Sequence, residues 1–282
     1  MPEGPEIRRA ADLVSDALLN KPITKVELIL AKLKRYQKVL ADARVTAVDT
    51  HGKAMLTRFN NGLTLYSHNQ LYGRWYIQES HQYPDTKRKL RVAIHTTKTS
   101  AQLYSASEIE ILSSDELSRH PFLSKLGPDV LATTDVSTFI NQLTEARFYR
   151  RQLGSTLTEQ SMVAGLGNYL RCEVLFAAGL HPTSRPVDCS DEKLEQLATL
   201  ILGLAKQSYK TGGITADLSR ANKLIANGAT FEDARFNVFR REHLPCYSCG
   251  TLIEKYYAGS QACYVCPQCQ IGIEKSKQKK VR

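Results

Sequence analysis

The sequence predicts an α+β protein in two halves. A helix leads into an antiparallel β-sandwich or barrel, and a helical half follows that ends in a β-hairpin carrying four cysteines. Three observations predict this. Between positions 23 and 105 lie seven short runs rich in Val, Ile, Leu and Tyr; the second half turns to helical periodicity; and two Cys-x-x-Cys pairs stand near the C-terminus. At 282 residues the chain has room for two domains, each with its own core. Hydrophobic residues at 42% and charged residues at 23% match ordinary folded protein and exclude a largely disordered chain.

In chain order, Ile7, Ala10, Ala11, Val14, Ala17 and Leu18 recur at helical spacing, and Asn20 with Pro22 ends the run. The strand-like runs are 23–30, 44–50, 54–59, 63–68, 75–78, 90–96 and 101–105, with Asn60-Asn61-Gly62 as a turn. Gly52 permits a tight bend, and Lys53 beside it is either a surface charge or a phosphate ligand. Asn69-Gln70-Leu71-Tyr72-Gly73 puts an apolar and an aromatic residue on a turn. Such side chains either fold back onto the core or wedge into a DNA stack beside an extruded base.

The strand pattern stops between His120 and Pro128, and Thr133-Thr134-Asp135 reads as the cap of a new helix. Thr156-Leu157-Thr158-Glu159 has capping-box spacing and predicts a helix that stops at Gly165. Gly165-Leu166-Gly167 is then a tight turn, with Asn168 as the cap of a helix reaching Gly179, whose first N–H groups would seat a phosphate. Asp191 to Tyr209 is an amphipathic helix whose stripe of Leu194, Leu197, Ala198, Ile201, Leu202 and Ala205 is core. The polar, Gly-containing stretch 210–230 lacks periodicity and predicts a mobile loop.

Thirty-eight Lys and Arg against 28 Asp and Glu leave a net charge of +10, which favours a polyanionic partner. No apolar run approaches a membrane span and the terminus lacks a signal-peptide core, so a soluble, cytoplasmic protein is expected. Five of the seven cysteines crowd near the C-terminus. Cys246, Cys249, Cys266 and Cys269 have the spacing of a four-thiolate Zn2+ ribbon, a closed tetrahedral shell that makes the ion structural. Cys263 fits neither pair and is left as a free thiol. Residues 253–257 and 262–265 alternate as a hairpin turning at Ala258-Gly259-Ser260.

The chemistry concentrates at Met1-Pro2-Glu3-Gly4-Pro5-Glu6. Removal of Met1 leaves Pro2 with a secondary amine of pKa near ~8, neutral often enough at pH 7 to attack a carbonyl. A secondary amine can form only a cationic iminium, which favours elimination at the neighbouring carbon. Glu3 can move protons and Glu6 can order the site. The same residues also suit an ordinary helix start.

Taken together, Met1–Glu6, Gly52-Lys53, Gln70-Leu71-Tyr72, Gly165-Leu166-Gly167-Asn168-Tyr169 and the four cysteines resemble the formamidopyrimidine-DNA glycosylase/endonuclease VIII family over nearly the whole chain. Gly4 and the Gln-Leu-Tyr triplet resemble its pyrimidine-directed, endonuclease VIII branch. The resemblance implies a bifunctional DNA glycosylase/AP lyase acting on damaged double-stranded DNA, as a monomer. It implies Pro2 as nucleophile at C1′, Glu3 as proton shuttle, Glu6 as support, Lys53 and Asn168 on backbone phosphates, and Gln70, Leu71 and Tyr72 in the vacated stack. It also implies an N-terminal antiparallel β-sandwich with a long N-terminal helix (1–125), a linker (126–133), a helical domain with a helix–two-turn–helix (134–240), a β-hairpin zinc finger (241–271), a basic tail expected to be disordered (272–282), and DNA lying between the two halves. One position departs from the family: Gln261 stands where the family carries a phosphate-clamping arginine of the finger hairpin, which should weaken the grip by on the order of 1–2 kcal/mol. Cys263 stands where the family often has an aromatic residue. The rival readings are a noncatalytic DNA-damage-binding protein and a purine-directed glycosylase of the same family.

Overall fold

The computed structural model describes residues 2–258 and 261–272. Met1, the hairpin tip at 259–260 and the basic tail from 273 lie outside the described residues. The chain divides into two compact units, Met1–Leu126 and Gly127–Arg282.

In the first unit, helix α1 (Gly4–Leu18) buries Ile7, Ala11, Val14, Ala17 and Leu18, the face its sequence period marks. Strand β1 (Ile23–Leu28) follows, then a 3-10 turn (Ala31–Tyr36), the short α2 (Gln37–Ala41), and strands β2 (Val45–His51), β3 (Ala54–Phe59), β4 (Thr64–His68), β5 (Arg74–Glu79), β6 (Leu90–Thr96), β7 (Thr99–Tyr104) and β8 (Glu108–Leu112). Two four-stranded sheets form, ordered β1-β6-β7-β5 and β2-β3-β4-β8, with every pair antiparallel. This is a sandwich, so of the two architectures left open the barrel is excluded. The helix contributes Ile7, Ala11 and Val14 to one core with Val26, Val45, Met55, Leu65, Val92 and Leu103 from both sheets. The Thr99 hydroxyl donates to the Ala17 carbonyl at 2.8 Å and pins the helix end to the fold. Short α3 (Ser114–Ser118) closes the unit with a Ser113–Glu116 capping box.

The second unit holds α4 (Val136–Thr144), capped by Asp135, short α5 (Ala146–Tyr149) and α6 (Leu153–Thr156), then α7 (Asn168–Ala177), α8 (Asp191–Thr211), α9 (Leu218–Ala226), α10 (Phe231–Ala234) and a hairpin of β9 (Glu254–Ala258) with β10 (Gln261–Val265). Three expectations fail here. Thr156 to Glu159 opens no helix, because the Thr156 hydroxyl donates back to Gln152 O at 2.8 Å and Thr158 to Ser155 O at 3.0 Å. Residues 157–166 instead run as buried turns, bonded to 127–130 (Gly127 N to Gln160 O, 2.9 Å; Val130 N to Ala164 O, 3.1 Å) and templated by the Gln160 amide on Leu166 O and Gly165 N. Asn168 is the first residue of α7 rather than its cap, which is Gly167. The stretch 210–230 is not a loop throughout: α8 ends on left-handed Gly212, and Asp217 caps α9 by accepting from Arg220 N at 2.8 Å.

Candidate active site and metal cluster

At the head of α1, Glu3 and Glu6 form a reciprocal capping box, with Glu6 Oε2 accepting from Glu3 N at 3.0 Å. The same bonds that start the helix therefore fix both carboxylates next to Pro2. Lys53 enters from the turn between β2 and β3, where Gly52 takes a left-handed φ of +61°. Its side chain is buried, as is Glu3. Burial pulls the Lys53 ammonium below the ordinary lysine range, opposed by the charges of Glu3 and Glu6. Two carboxylates and one poorly solvated ammonium thus act on one another at the head of α1, where Pro2 directly precedes Glu3. His68, which pairs with Ala54 across β3 and β4, also titrates below its usual value. Burial is the main cause, Lys53 adds to it and Glu108 opposes it.

The 69–73 turn leaves β4 tightly, with Gly73 N donating to Asn69 O at 2.7 Å. A Cβ on Gly73 would meet that same oxygen at 2.6 Å, so the turn admits no side chain there. Gln70 has a φ of +48° and is latched on both amide atoms: its Nε2 donates to Glu108 Oε2 at 3.1 Å, and its Oε1 accepts from Ser107 at 2.7 Å. Leu71 and Tyr72 are 63% and 68% exposed, so they do not fold back onto the core. The turn is a rigid base that presents two large side chains to solvent.

In the second unit, Arg171 is fully buried on α7. It donates to the side chain of Asn168, to Gly154 O at 2.6 Å and to Ala262 O at 2.9 Å. It therefore orients Asn168 and ties α7 to the strand that begins at Gln261, itself exposed. Two residues on, the buried carboxylate of Glu173 accepts from Asn237 N (2.8 Å), Asn237 Nδ2 (2.9 Å), Val238 N (2.9 Å), Phe239 N (3.0 Å) and Thr215 Oγ1 (3.1 Å). It anchors the segment that leads to the first cysteine pair.

The Sγ atoms of Cys246, Cys249, Cys266 and Cys269 all lie within 4.8 Å of one another, a cluster that could hold a metal ion. Sulfurs about 2.3 Å from a tetrahedral ion stand roughly 3.8 Å apart; here Cys246 to Cys269 is 3.9 Å and Cys249 to Cys266 is 3.4 Å. Each knuckle turns a backbone N–H toward a sulfur, Ser248 N to Cys246 and Cys269 N to Cys266, both at 3.4 Å, which favours thiolate ligands. Hydrogen bonds from Thr251 lower the Cys249 thiol to about 6. The donor set fits a divalent ion of the kind that binds four thiolates. Cys263 stands outside it.

Residues 1–107 match the formamidopyrimidine-DNA glycosylase N-terminal domain and residues 126–219 the H2TH domain of the same enzymes. Endonuclease 8 of Escherichia coli O17:K52:H18 is 45% identical over 271 residues, covering 96% of this chain and all of the relative. The chain belongs to the formamidopyrimidine-DNA glycosylase/endonuclease VIII family. Its members are DNA glycosylase/AP lyases of DNA repair, and Endonuclease 8 of Klebsiella pneumoniae shows the same extent of likeness at 44% identity. Among solved structures, Lactococcus lactis Fpg with abasic-site DNA matches with a TM-score of 0.78 at 20% identity, covering 95% of this chain and 99% of that one. MutM with DNA containing carbocyclic 8-oxo-G matches with a TM-score of 0.78 at 21% identity and the same coverage. These two likenesses concern the fold. Among the described residues, no helix is long and apolar enough to cross a membrane.

Within this family member, Pro2, Glu3, Glu6 and Lys53 gather at one end of α1, and Gln70, Leu71 and Tyr72 share one turn. Asn168 and Gln261 both neighbour Arg171 contacts in the second unit. Sequence reasoning missed the groups that hold these residues: Ser107 and Glu108 on Gln70, Arg171 on Asn168, and Glu173 under the finger segment. The one available signal was the alternation Glu108-Ile109-Glu110-Ile111, which marks β8 and its exposed carboxylates.

Proposed function

We propose that the protein removes oxidised pyrimidines from duplex DNA as a bifunctional glycosylase and AP lyase, with Pro2 as nucleophile once Met1 is removed. The observation that supports this most is the set at the head of α1: a proline followed by a capping box of two carboxylates, with a buried lysine whose charge acts on both. The neutral amine attacks C1′, the bond from C1′ to the base breaks, and the base leaves with a proton. The sugar ring opens and the nitrogen becomes an iminium, which acidifies the C2′ proton. Glu3 passes protons at this centre, held in place by its bond with Glu6. Loss of the C2′ proton expels the 3′ phosphate, and a second elimination expels the 5′ phosphate, leaving a one-nucleoside gap with phosphate ends. Lys53 and Asn168 hold backbone phosphates, and Gln70, Leu71 and Tyr72 fill the space of the extruded base.

The pyrimidine preference rests on the resemblance of Gly4 and the Gln70-Leu71-Tyr72 triplet to the endonuclease VIII branch. Cys246, Cys249, Cys266 and Cys269 would hold one Zn2+, which in a closed four-sulfur shell supplies folding energy rather than a reactive water. The finger then presents Gln261 to a phosphate with one neutral hydrogen bond in place of a charged fork. The bacterial relatives support work in the cytoplasm, and the family resemblance supports a monomer. Single-turnover reactions on otherwise identical duplexes carrying dihydrouracil or 8-oxoguanine test the reading, with end-group analysis of the products. Faster cutting at dihydrouracil, with phosphate on both ends, is expected. Faster cutting at 8-oxoguanine would favour the purine-directed reading. Binding without cleavage, even at a preformed abasic site, would favour the noncatalytic one.

A further inference from the structure

We propose that Cys172 and Cys263 form an oxidative modification site, a disulfide that ties helix α7 to strand β10 of the finger hairpin. Both side chains are fully buried, and their sulfurs lie 3.6 Å apart, with the Cys172 S–H directed at Cys263. The two residues are 91 positions apart, so only the fold brings them together. Cys263 is not a member of the four-sulfur cluster, and the described metal-binding group is complete without it.

A disulfide needs sulfurs about 2.05 Å apart, so the pair must close by roughly 1.5 Å. The surroundings already hold the two backbones side by side. Arg171, next to Cys172, donates to the carbonyl of Ala262, next to Cys263, at 2.9 Å. Two cysteines in an apolar cluster can also serve as small hydrophobes, and what distinguishes this pair is that each thiol has the other as its neighbour.

The oxidant is a hydroperoxide, with hydrogen peroxide the simplest member. One sulfur attacks the peroxide, the O–O bond breaks, and water leaves behind a sulfenic acid. The second sulfur attacks the first, the S–O bond breaks, and another water leaves. Two thiols lose two electrons and two protons, and the peroxide is reduced to two waters. Burial makes the reaction slow, because the peroxide must enter through a local opening of the hairpin.

The consequence for DNA rests on the reading of Asn168 and Gln261 as phosphate contacts. The bond fixes the strand that starts at Gln261 against the helix that starts at Asn168. The oxidised protein therefore releases an abasic-analogue duplex more slowly than the reduced one.

The test uses the full chain loaded with zinc and treated with hydrogen peroxide without DNA. Remaining thiols are blocked, the protein is digested, and linked peptides are mapped by mass spectrometry while a chromogenic chelator reports zinc release. The expected result is a Cys172–Cys263 peptide, lighter than the free pair by about 2 Da for two lost hydrogens, formed with zinc retained and cleaved by dithiothreitol. Cys172→Val and Cys263→Ala should each abolish it. Cys263 linked to a cluster cysteine, or zinc lost before any link forms, would overturn the proposal. Dissociation of a tetrahydrofuran-containing duplex is then measured before and after reduction. Slower release that reverses on reduction supports the functional part, and unchanged release overturns it. Because the peptide is scored without DNA, failure of the site and failure of the DNA reading are distinguishable.

Discussion

Replacing Glu173 with alanine should loosen the finger without touching a reacting group. The carboxylate is fully buried and accepts five hydrogen bonds, three of them from the consecutive N–H groups of Asn237, Val238 and Phe239. Two of the five donors have fallback acceptors: Asn237 Nδ2 has Thr215 O at 3.5 Å, and Thr215 Oγ1 has Arg235 O at 3.3 Å. The three backbone donors would lose their acceptor. At about 1–3 kcal/mol for each buried donor left unpaired, offset in part by no longer burying a charge, the loss comes to about 3–5 kcal/mol. Glu173→Gln should recover only part of it, because its amide turns two donors of its own toward the same N–H groups. Val238 packs with Cys246 and Ile253, so the damage should spread to the cysteine cluster. Urea unfolding of the zinc-loaded protein, with zinc release followed in parallel, measures both effects. A loss below about 1 kcal/mol in both variants, with zinc held as in the parent, would refute the assignment of Glu173 as the anchor.

Three further outcomes follow from the same geometry. Gly73→Ala puts a Cβ 2.6 Å from Asn69 O, so the turn must open at a cost of about 1–3 kcal/mol; excision of a damaged base should slow more than cleavage at a preformed abasic site, which needs no extrusion, and equal slowing would count against the wedge. Gln261→Arg should tighten binding of a tetrahydrofuran duplex by about 1–2 kcal/mol, some 5- to 30-fold, and steepen the salt slope by about 0.9; unchanged affinity and slope would show that this position does not meet a phosphate. Lys53 loses its proton below the ordinary lysine value because of burial, so its charged form is lost earlier as pH rises. The single-turnover rate at an abasic site should therefore fall on the alkaline side with a midpoint below ~10.4, and Lys53→Arg should move that limb upward. A limb unmoved by the substitution would assign it to another group.

Much of this was legible because it is local. The seven strand runs have counterparts in β1 to β7, and β3 and β6 match residue for residue, since alternation and β-branched content are properties of a few adjacent positions. The cysteine quartet was visible from spacing, and the proline with its two glutamates from six consecutive residues. What stayed hidden depends on partners far along the chain. Lys53 reads as a surface charge until the fold buries it beside Glu3. Arg171 sits on the apolar α7 as an anomaly until Ala262, 91 residues later, supplies its acceptor. The false helix at 156–165 came from a capping pattern whose hydroxyls bond backward instead. Helix α9 was missed although Leu218, Ala221, Leu224 and Ile225 recur at helical spacing, because its nine residues lie between polar, Gly-containing segments that hide so short a period.

The most direct measurement of the central claim is borohydride trapping on a duplex carrying dihydrouracil, with mass spectrometry to locate the bond. A covalent complex joined through Pro2 of a chain that has lost Met1 is the predicted result, because the terminal secondary amine forms an iminium at C1′ that borohydride reduces to a stable amine. An adduct on a lysine, or none at all from protein that binds the duplex and has a free Pro2, would contradict it.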